Sequence, residues 1–212
     1  MSSVVVVDYG IGNLFSVRSA LEYCGATVRV TEDPVEILSA PRLVLPGVGA
    51  FGDGMRGLTD RGLAATVKEF ADSGRALLGI CLGMQMLASA SEEFGEHEGL
   101  GIIPGRVVPI PNTRKDGTPH KIPHIGWAPL APPERTEWSG SILAGVDHGD
   151  SVYLVHSFAF MTDDEAHVLA ECDYDGRRLT AAVRRGQVYG CQFHPEKSGS
   201  VGIQILSDFL SV

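Results

Sequence analysis

The run Ala76-Leu77-Leu78-Gly79-Ile80-Cys81-Leu82-Gly83-Met84-Gln85 most constrains what this chain can fold into. Its first residues are apolar and of strand length, and Met84 to Ala88 reads as the start of a helix. A cysteine in a G-x-C-x-G frame at a strand-to-helix turn is the thiol version of a nucleophile elbow. The glycines permit the sharp turn and a close backbone approach. Such a turn demands a buried strand feeding a helix. It also lifts the sulfur out of the sheet, beside a helix N-terminus whose partial positive charge favours thiolate. The competing reading is a buried cysteine in a Gly-rich connection.

The rest of the N-terminal half has the same rhythm. Val4 to Val7 is a β-branched run suited to a strand buried on both faces. Leu14, Val17, Leu21 and Cys24 fall at helical spacing and Gly25 closes that helix. Thr27 to Val30, Arg42 to Leu45 and Ala76 to Ile80 read as strands, and Leu63 to Phe70 as a helix. Alternating strands and helices predict an α/β fold, a mostly parallel central sheet flanked by helices. Functional loops then fall at the carboxyl ends of the strands: Asp8 to Asn13, Pro46 to Gly52, and Cys81. From about Gly101 the runs Arg106 to Ile110, Val152 to Phe160, Val168 to Cys172 and Leu179 to Arg184 predict a mixed or antiparallel extension of that sheet. Val201, Ile205 and Phe209 mark a closing helix. At 212 residues, with no internal repeat, a single domain over 1–212 is expected.

Near the C-terminus, Gln192-Phe193-His194-Pro195-Glu196-Lys197-Ser198-Gly199 follows the strand-like Val188 to Cys191. A nucleophilic cysteine needs a base, and the base needs a group to hold its tautomer. His194 and Glu196, two apart with Pro195 between them, have that chemistry. A net charge of -9 argues against nucleic acid or an anionic membrane as partner. The first residues lack a basic n-region and read as a strand, not a signal peptide. Cys24, Cys81, Cys172 and Cys191 have no metal-ligand spacing and read as free thiols, all but Cys81 core or near-core, in a cytoplasmic protein. No metal and no cofactor are expected.

On Gly79 to Gln85 and Gln192 to Glu196, the chain resembles the class I (triad) glutamine amidotransferases. Asp8-Tyr9-Gly10-Ile11-Gly12-Asn13, Pro46-Gly47-Val48-Gly49-Ala50-Phe51-Gly52, Met84 and Lys197-Ser198-Gly199 narrow the likeness to the glutaminase subunits of imidazole glycerol phosphate synthases. His124-Ile125-Gly126-Trp127 and Val155-His156-Ser157-Phe158 extend it over nearly the whole chain, with Ala128 departing from the Asn common in that family.

The resemblance implies hydrolysis of glutamine by a Cys81, His194, Glu196 triad. It implies an oxyanion hole from the Leu82 N–H and the Pro46 to Gly49 loop, with Val48 and Gly49 as candidates. Gln85 and Glu93 would meet the α-amino end of glutamine, and Ser157, with Gly49 nearby, its α-carboxylate. It further implies delivery of ammonia to a (β/α)8-barrel cyclase subunit, with Asn13, Trp127, Tyr153 and Lys197 on the shared face. Competing readings are a glutaminase serving an anthranilate or aminodeoxychorismate synthase, a cysteine hydrolase acting on other substrates, and a non-catalytic scaffold.

Overall fold

The structure is a computed structural model and describes residues 2–134 and 136–212. The first strand, β1 (Ser3–Val7), pairs in parallel with β2 (Thr27–Thr31) and β3 (Arg42–Leu45). Between them lie α1 (Leu14–Tyr23) and α2 (Pro34–Ser39). Asn13 caps α1 by accepting from the Ser16 N–H, and Asp33 caps α2 with Pro34 in its first turn, where a missing N–H costs nothing. Next come α3 (Phe51–Asp60), α4 (Leu63–Asp72), β4 (Ala76–Ile80) and α5 (Leu82–Met86).

The second half opens with β5 (Ala90–Ser91), β6 (His97–Glu98) and β7 (Gly105–Pro109). It continues through β8 (His124–Ala131), β9 (Ser151–His156), β10 (Phe158–Thr162), β11 (Val168–Tyr174), β12 (Arg177–Arg185) and β13 (Val188–Cys191). The chain closes with α6 (Gly199–Phe209). One nine-stranded sheet runs β2-β1-β3-β4-β13-β12-β11-β8-β9, parallel from β2 to β13 and antiparallel beyond. A second, four-stranded sheet runs β10-β7-β5-β6.

Alternation along β1 explains the layering. Val4 and Val6 face one core with Val17, Leu21 and Phe209, from α1 and α6. Val5 and Val7 face the other with Leu58, Val67 and Phe70, from α3 and α4. A central parallel strand with both faces covered has no polar side to show, so its sequence is a continuous valine run.

Three expectations are corrected. Val152 to Phe160 is not one strand: it breaks at Ser157, and β9 and β10 join different sheets. The antiparallel half therefore extends the main sheet only in part. Residues from Phe51 are not loop but the first turn of α3, despite Gly52, Gly54 and Gly57. Those glycines are places of close approach: a Cβ on Gly54 would lie 2.8 Å from the Met86 sulfur, and one on Gly57 2.9 Å from the Tyr9 carbonyl. No helix among the described residues is long and apolar enough to cross a membrane.

Candidate active site

β1, β3, β4 and β13 end at the same edge of the parallel sheet, so the segments after them converge. Cys81 follows β4 directly, with φ 54° and ψ −110°. A side chain costs energy in that conformation, and the neighbours over-determine it. The Cys81 N–H donates to the Cys191 carbonyl at 2.7 Å, and the Cys81 carbonyl accepts from Gln85 N–H, opening α5. A Cβ on Gly79 would lie 2.7 Å from the Gly83 carbonyl, and one on Gly83 would collide with the Leu45 carbonyl. Both glycines of the elbow are therefore required by packing. The helix behind the sulfur is only five residues long, so its dipole is far weaker than the sequence suggests.

From the end of β13, His194 and Glu196 reach the same place on a short 3-10 turn, Pro195–Lys197. His194 Nδ1 and Glu196 Oε1 are 2.8 Å apart, and the Glu196 side chain is 1 % exposed. Its other oxygen meets no donor among the described residues, so the carboxylate charge acts on the imidazole undiluted. Burial pulls the His194 pKa down; hydrogen bonds and charge from Cys81 and Glu196 outweigh it and lift the value to about 9. The imidazole is thus well suited to hold a proton given up by the sulfur.

Cys81 and His194 line a cleft of about 360 Å³ together with Val48, Gly49, Leu82, Gln85, Glu93, Ser157 and Lys197. The structure brings these sequence candidates to one place. A larger cleft of about 640 Å³, beside Glu137, Glu165, Glu171 and Arg178, has no cysteine or histidine in its described lining, so size does not mark the Cys81 site. Glu93 is not a solvated charge: it accepts the Phe51 N–H at 2.6 Å, filling the otherwise uncapped start of α3.

The remaining candidates divide. Trp127 and Tyr153 pair across β8 and β9 with ring centroids 5.9 Å apart, and Trp127 is 58 % exposed. The backbone of Tyr153 is tied to the triad turn through the His194 N–H and the Ser198 hydroxyl. Asn13 does not line the cleft; its side chain caps α1.

The Leu82 N–H, expected to be open to substrate, is taken. It donates to the Gly47 carbonyl at 3.3 Å. The sequence motif assigns Gln192 no role. It is fully buried, accepts from Gln85 Nε2 at 3.0 Å and donates to Cys81 Sγ at 3.9 Å. A second contact from Gln85 Nε2 goes to the Phe158 carbonyl, which His156 Nδ1 also meets at 2.9 Å. His156 in turn pairs with His124 at 3.1 Å, and burial holds its pKa down at about 4. A glutamine beside the triad motif is a signal only once its burial is known, because a buried amide must find partners.

A nucleophile elbow on a parallel sheet, with its base and orienting carboxylate on an adjacent strand end, matches a known family. The profile of glutamine amidotransferase class-I fits residues 5–212, and the chain belongs to that family. It is 52 % identical over 213 residues to imidazole glycerol phosphate synthase subunit HisH 1 of Legionella pneumophila (strain Lens), covering 100 % of both chains. It is 47 % identical to subunit HisH of the same enzyme from Syntrophotalea carbinolica, covering 97 % of this chain and 98 % of that one. Among solved structures, PurLQS from Thermotoga maritima superposes with a TM-score of 0.72 at 20 % identity, covering 100 % of this chain and 99 % of that chain, a likeness of fold.

Proposed function

We infer that this chain is the glutaminase subunit of an imidazole glycerol phosphate synthase, acting in the cytoplasm as one domain in histidine biosynthesis. The observation that carries the reading is the convergence of Cys81 and His194 on one cleft, with Glu196 behind the imidazole and Gln85, Glu93 and Ser157 on the cleft walls. Full-length identity of 46–52 % to subunits of that enzyme supports the particular partner.

In this reading His194 takes the Cys81 proton and the sulfur attacks the carboxamide carbon of glutamine. The tetrahedral intermediate collapses, and the C–N bond breaks as His194 returns the proton to the leaving nitrogen, releasing ammonia. Water, deprotonated by His194, then attacks the γ-glutamyl thioester; the C–S bond breaks and glutamate leaves. Glu196 holds the imidazole tautomer and steadies the imidazolium. Gln85 and Glu93 receive the α-ammonium, and Ser157 the α-carboxylate.

The oxyanion needs the Leu82 N–H and a second donor. With the Gly47 carbonyl on Leu82, the hole is closed. Rotating the Gly47–Val48 peptide withdraws that carbonyl and turns the Val48 N–H toward the site. One such donor is worth about 3 kcal/mol to the transition state. The chain is therefore a slow glutaminase alone and a fast one when a (β/α)8-barrel cyclase subunit, loaded with its ligand, favours the rotated loop. Trp127, Tyr153, Lys197 and Asn13 form the contact face. The ammonia passes to the cyclase, which uses it to make imidazole glycerol phosphate.

The test is co-purification of the partner, followed by glutamine turnover with the chain alone, with the cyclase subunit, and with cyclase plus imidazole glycerol phosphate. A rise confined to the third supports the reading; equal rates in all three overturn it.

A further inference from the structure

Tyr9 stands in the segment after β1 and is fully buried. Its hydroxyl donates to the Pro46 carbonyl at 2.6 Å. The same oxygen confines Gly47: a Cβ there would lie 2.5 Å from Tyr9 Oη and 2.9 Å from Leu82 Cβ. Burial, with the Cys81 sulfur nearby, pushes the phenol pKa upward, so the group remains a donor throughout the neutral range. The rest of the segment is drawn in with it. A Cβ on Gly12 would touch the Pro46 ring at 3.6 Å, and Asp8 folds the turn by accepting the Gly10 N–H.

Two adjacent peptides of the loop thus have different anchors. The Pro46–Gly47 peptide is held by Tyr9 through the Pro46 carbonyl. The Gly47–Val48 peptide is held by Leu82 through the Gly47 carbonyl, a longer contact at 3.3 Å. The two planes are joined at the Gly47 Cα, and turning the second in place changes only Gly47 ψ and Val48 φ. If the first plane is clamped, rotation of the second leaves the Gly47 Cα in place, and the Val48 N–H arrives at a defined point. If the first plane is free, the motion spreads backward and that point blurs. An error of about 1 Å in such a group costs orders of magnitude in rate.

We propose that Tyr9 is a positioning residue for the oxyanion loop, its hydroxyl fixing the Pro46–Gly47 peptide as the pivot on which the Gly47–Val48 peptide turns and linking that turn to the 8–13 segment. The proposal rests on the loop reading above. Tyr9 does not touch the substrate; it acts through the backbone of Pro46. It also gives the 8–13 segment, where Asn13 stands, a mechanical route to the sulfur's surroundings.

Tyr9→Phe removes one oxygen and keeps the ring. Glutamine turnover is measured for wild type and variant, alone and in the complex with the cyclase subunit plus imidazole glycerol phosphate. Stimulated kcat falls about tenfold, the scale of one buried hydrogen bond, and the ratio of stimulated to unstimulated rates falls with it. The KM for glutamine and ammonia-dependent synthesis by the complex stay as in wild type. An unchanged ratio overturns the proposal, and so does a parallel loss in both rates, the mark of a packing role. If Tyr9→Phe does not fold or assemble, 3-fluorotyrosine at position 9 gives a second reading: its ¹⁹F resonance shifts when cyclase and imidazole glycerol phosphate are added, and an unmoved resonance overturns the proposal. A wild-type chain that the partner does not accelerate fails earlier, at the loop reading itself, and removes both.

Discussion

The two halves of the site differ in readiness. The His194–Glu196 arm is assembled: two residues apart on one short turn, 2.8 Å between their polar atoms, both side chains out of water. The proposed oxyanion half is closed on itself, the Leu82 N–H occupied by the Gly47 carbonyl of the loop proposed to supply the second donor. A contact between near neighbours on a rigid turn is fixed by local chain geometry. A hole built from two distant segments depends on the orientation of one peptide, and a donor so supplied is worth about 3 kcal/mol to the transition state. Proton-transfer machinery is therefore kept ready while charge stabilisation is withheld.

The sharpest way to break this contrast is to remove the nucleophile. Cys81→Ala lowers glutamine turnover by at least about 10⁴-fold, because the triad acts as a unit. Ammonia-dependent synthesis by the complex persists, since ammonia bypasses this site. Appreciable glutamine turnover in the variant refutes the role of Cys81. His194→Asn is about as damaging, whereas Glu196→Gln, which retains shape and loses charge, is milder by roughly ten- to a hundredfold. The reverse order in measured kcat would exchange their roles.

A pH-dependent melt tests whether the arm is assembled before substrate arrives. The His194 pKa is raised in the folded chain, to about 9 from 6.5. The stability it contributes is full below about pH 6.5 and is lost as pH rises through 9, ~3 kcal/mol at most. The wild-type Tm therefore declines from pH 7 to pH 9.5, and the decline is shallower in Cys81→Ala, which lacks the sulfur that helps raise the value. Identical slopes contradict the coupling. The smallest effect belongs to the other half. Lys197→Ala, at the cleft wall, cuts the partner's stimulation several-fold, about 1 kcal/mol, while the complex still co-elutes in gel filtration. Loss of the complex itself would make Lys197 an anchor rather than part of the switch.

The parallel half of the fold is legible because burial on both faces leaves a direct mark, as in Val4 to Val7 and Ala76 to Ile80. α3 is hidden because its glycines oppose helix propensity and are justified only by contacts with Tyr9, Leu82, Met86 and His97 that no local window contains. The break at Ser157 is equally silent, since the apolar runs on either side differ only in which sheet they join. In the site, Cys81, His194 and Glu196 announce themselves by type and spacing. Gln192 and Tyr9 do not: an amide and a phenol gain meaning from what they meet in space. The state of the Gly47–Val48 peptide is a conformational choice among nearly equal options, which composition does not encode.

At Cys81 the backbone adopts φ 54°, a conformation where glycine is at home and a side chain costs about 1–3 kcal/mol. Position 81, like 94 and 175, is thus one where replacement by glycine relieves strain, offset in part by glycine's greater freedom in the unfolded chain. Above pH 9, where the sulfur no longer lends stability through His194, Cys81→Gly melts no lower than wild type, and it has no nucleophile. A population of variants screened for heat resistance alone would therefore drift toward inactivity at this codon. The chain holds its cysteine only where each generation is also tested for nitrogen transfer.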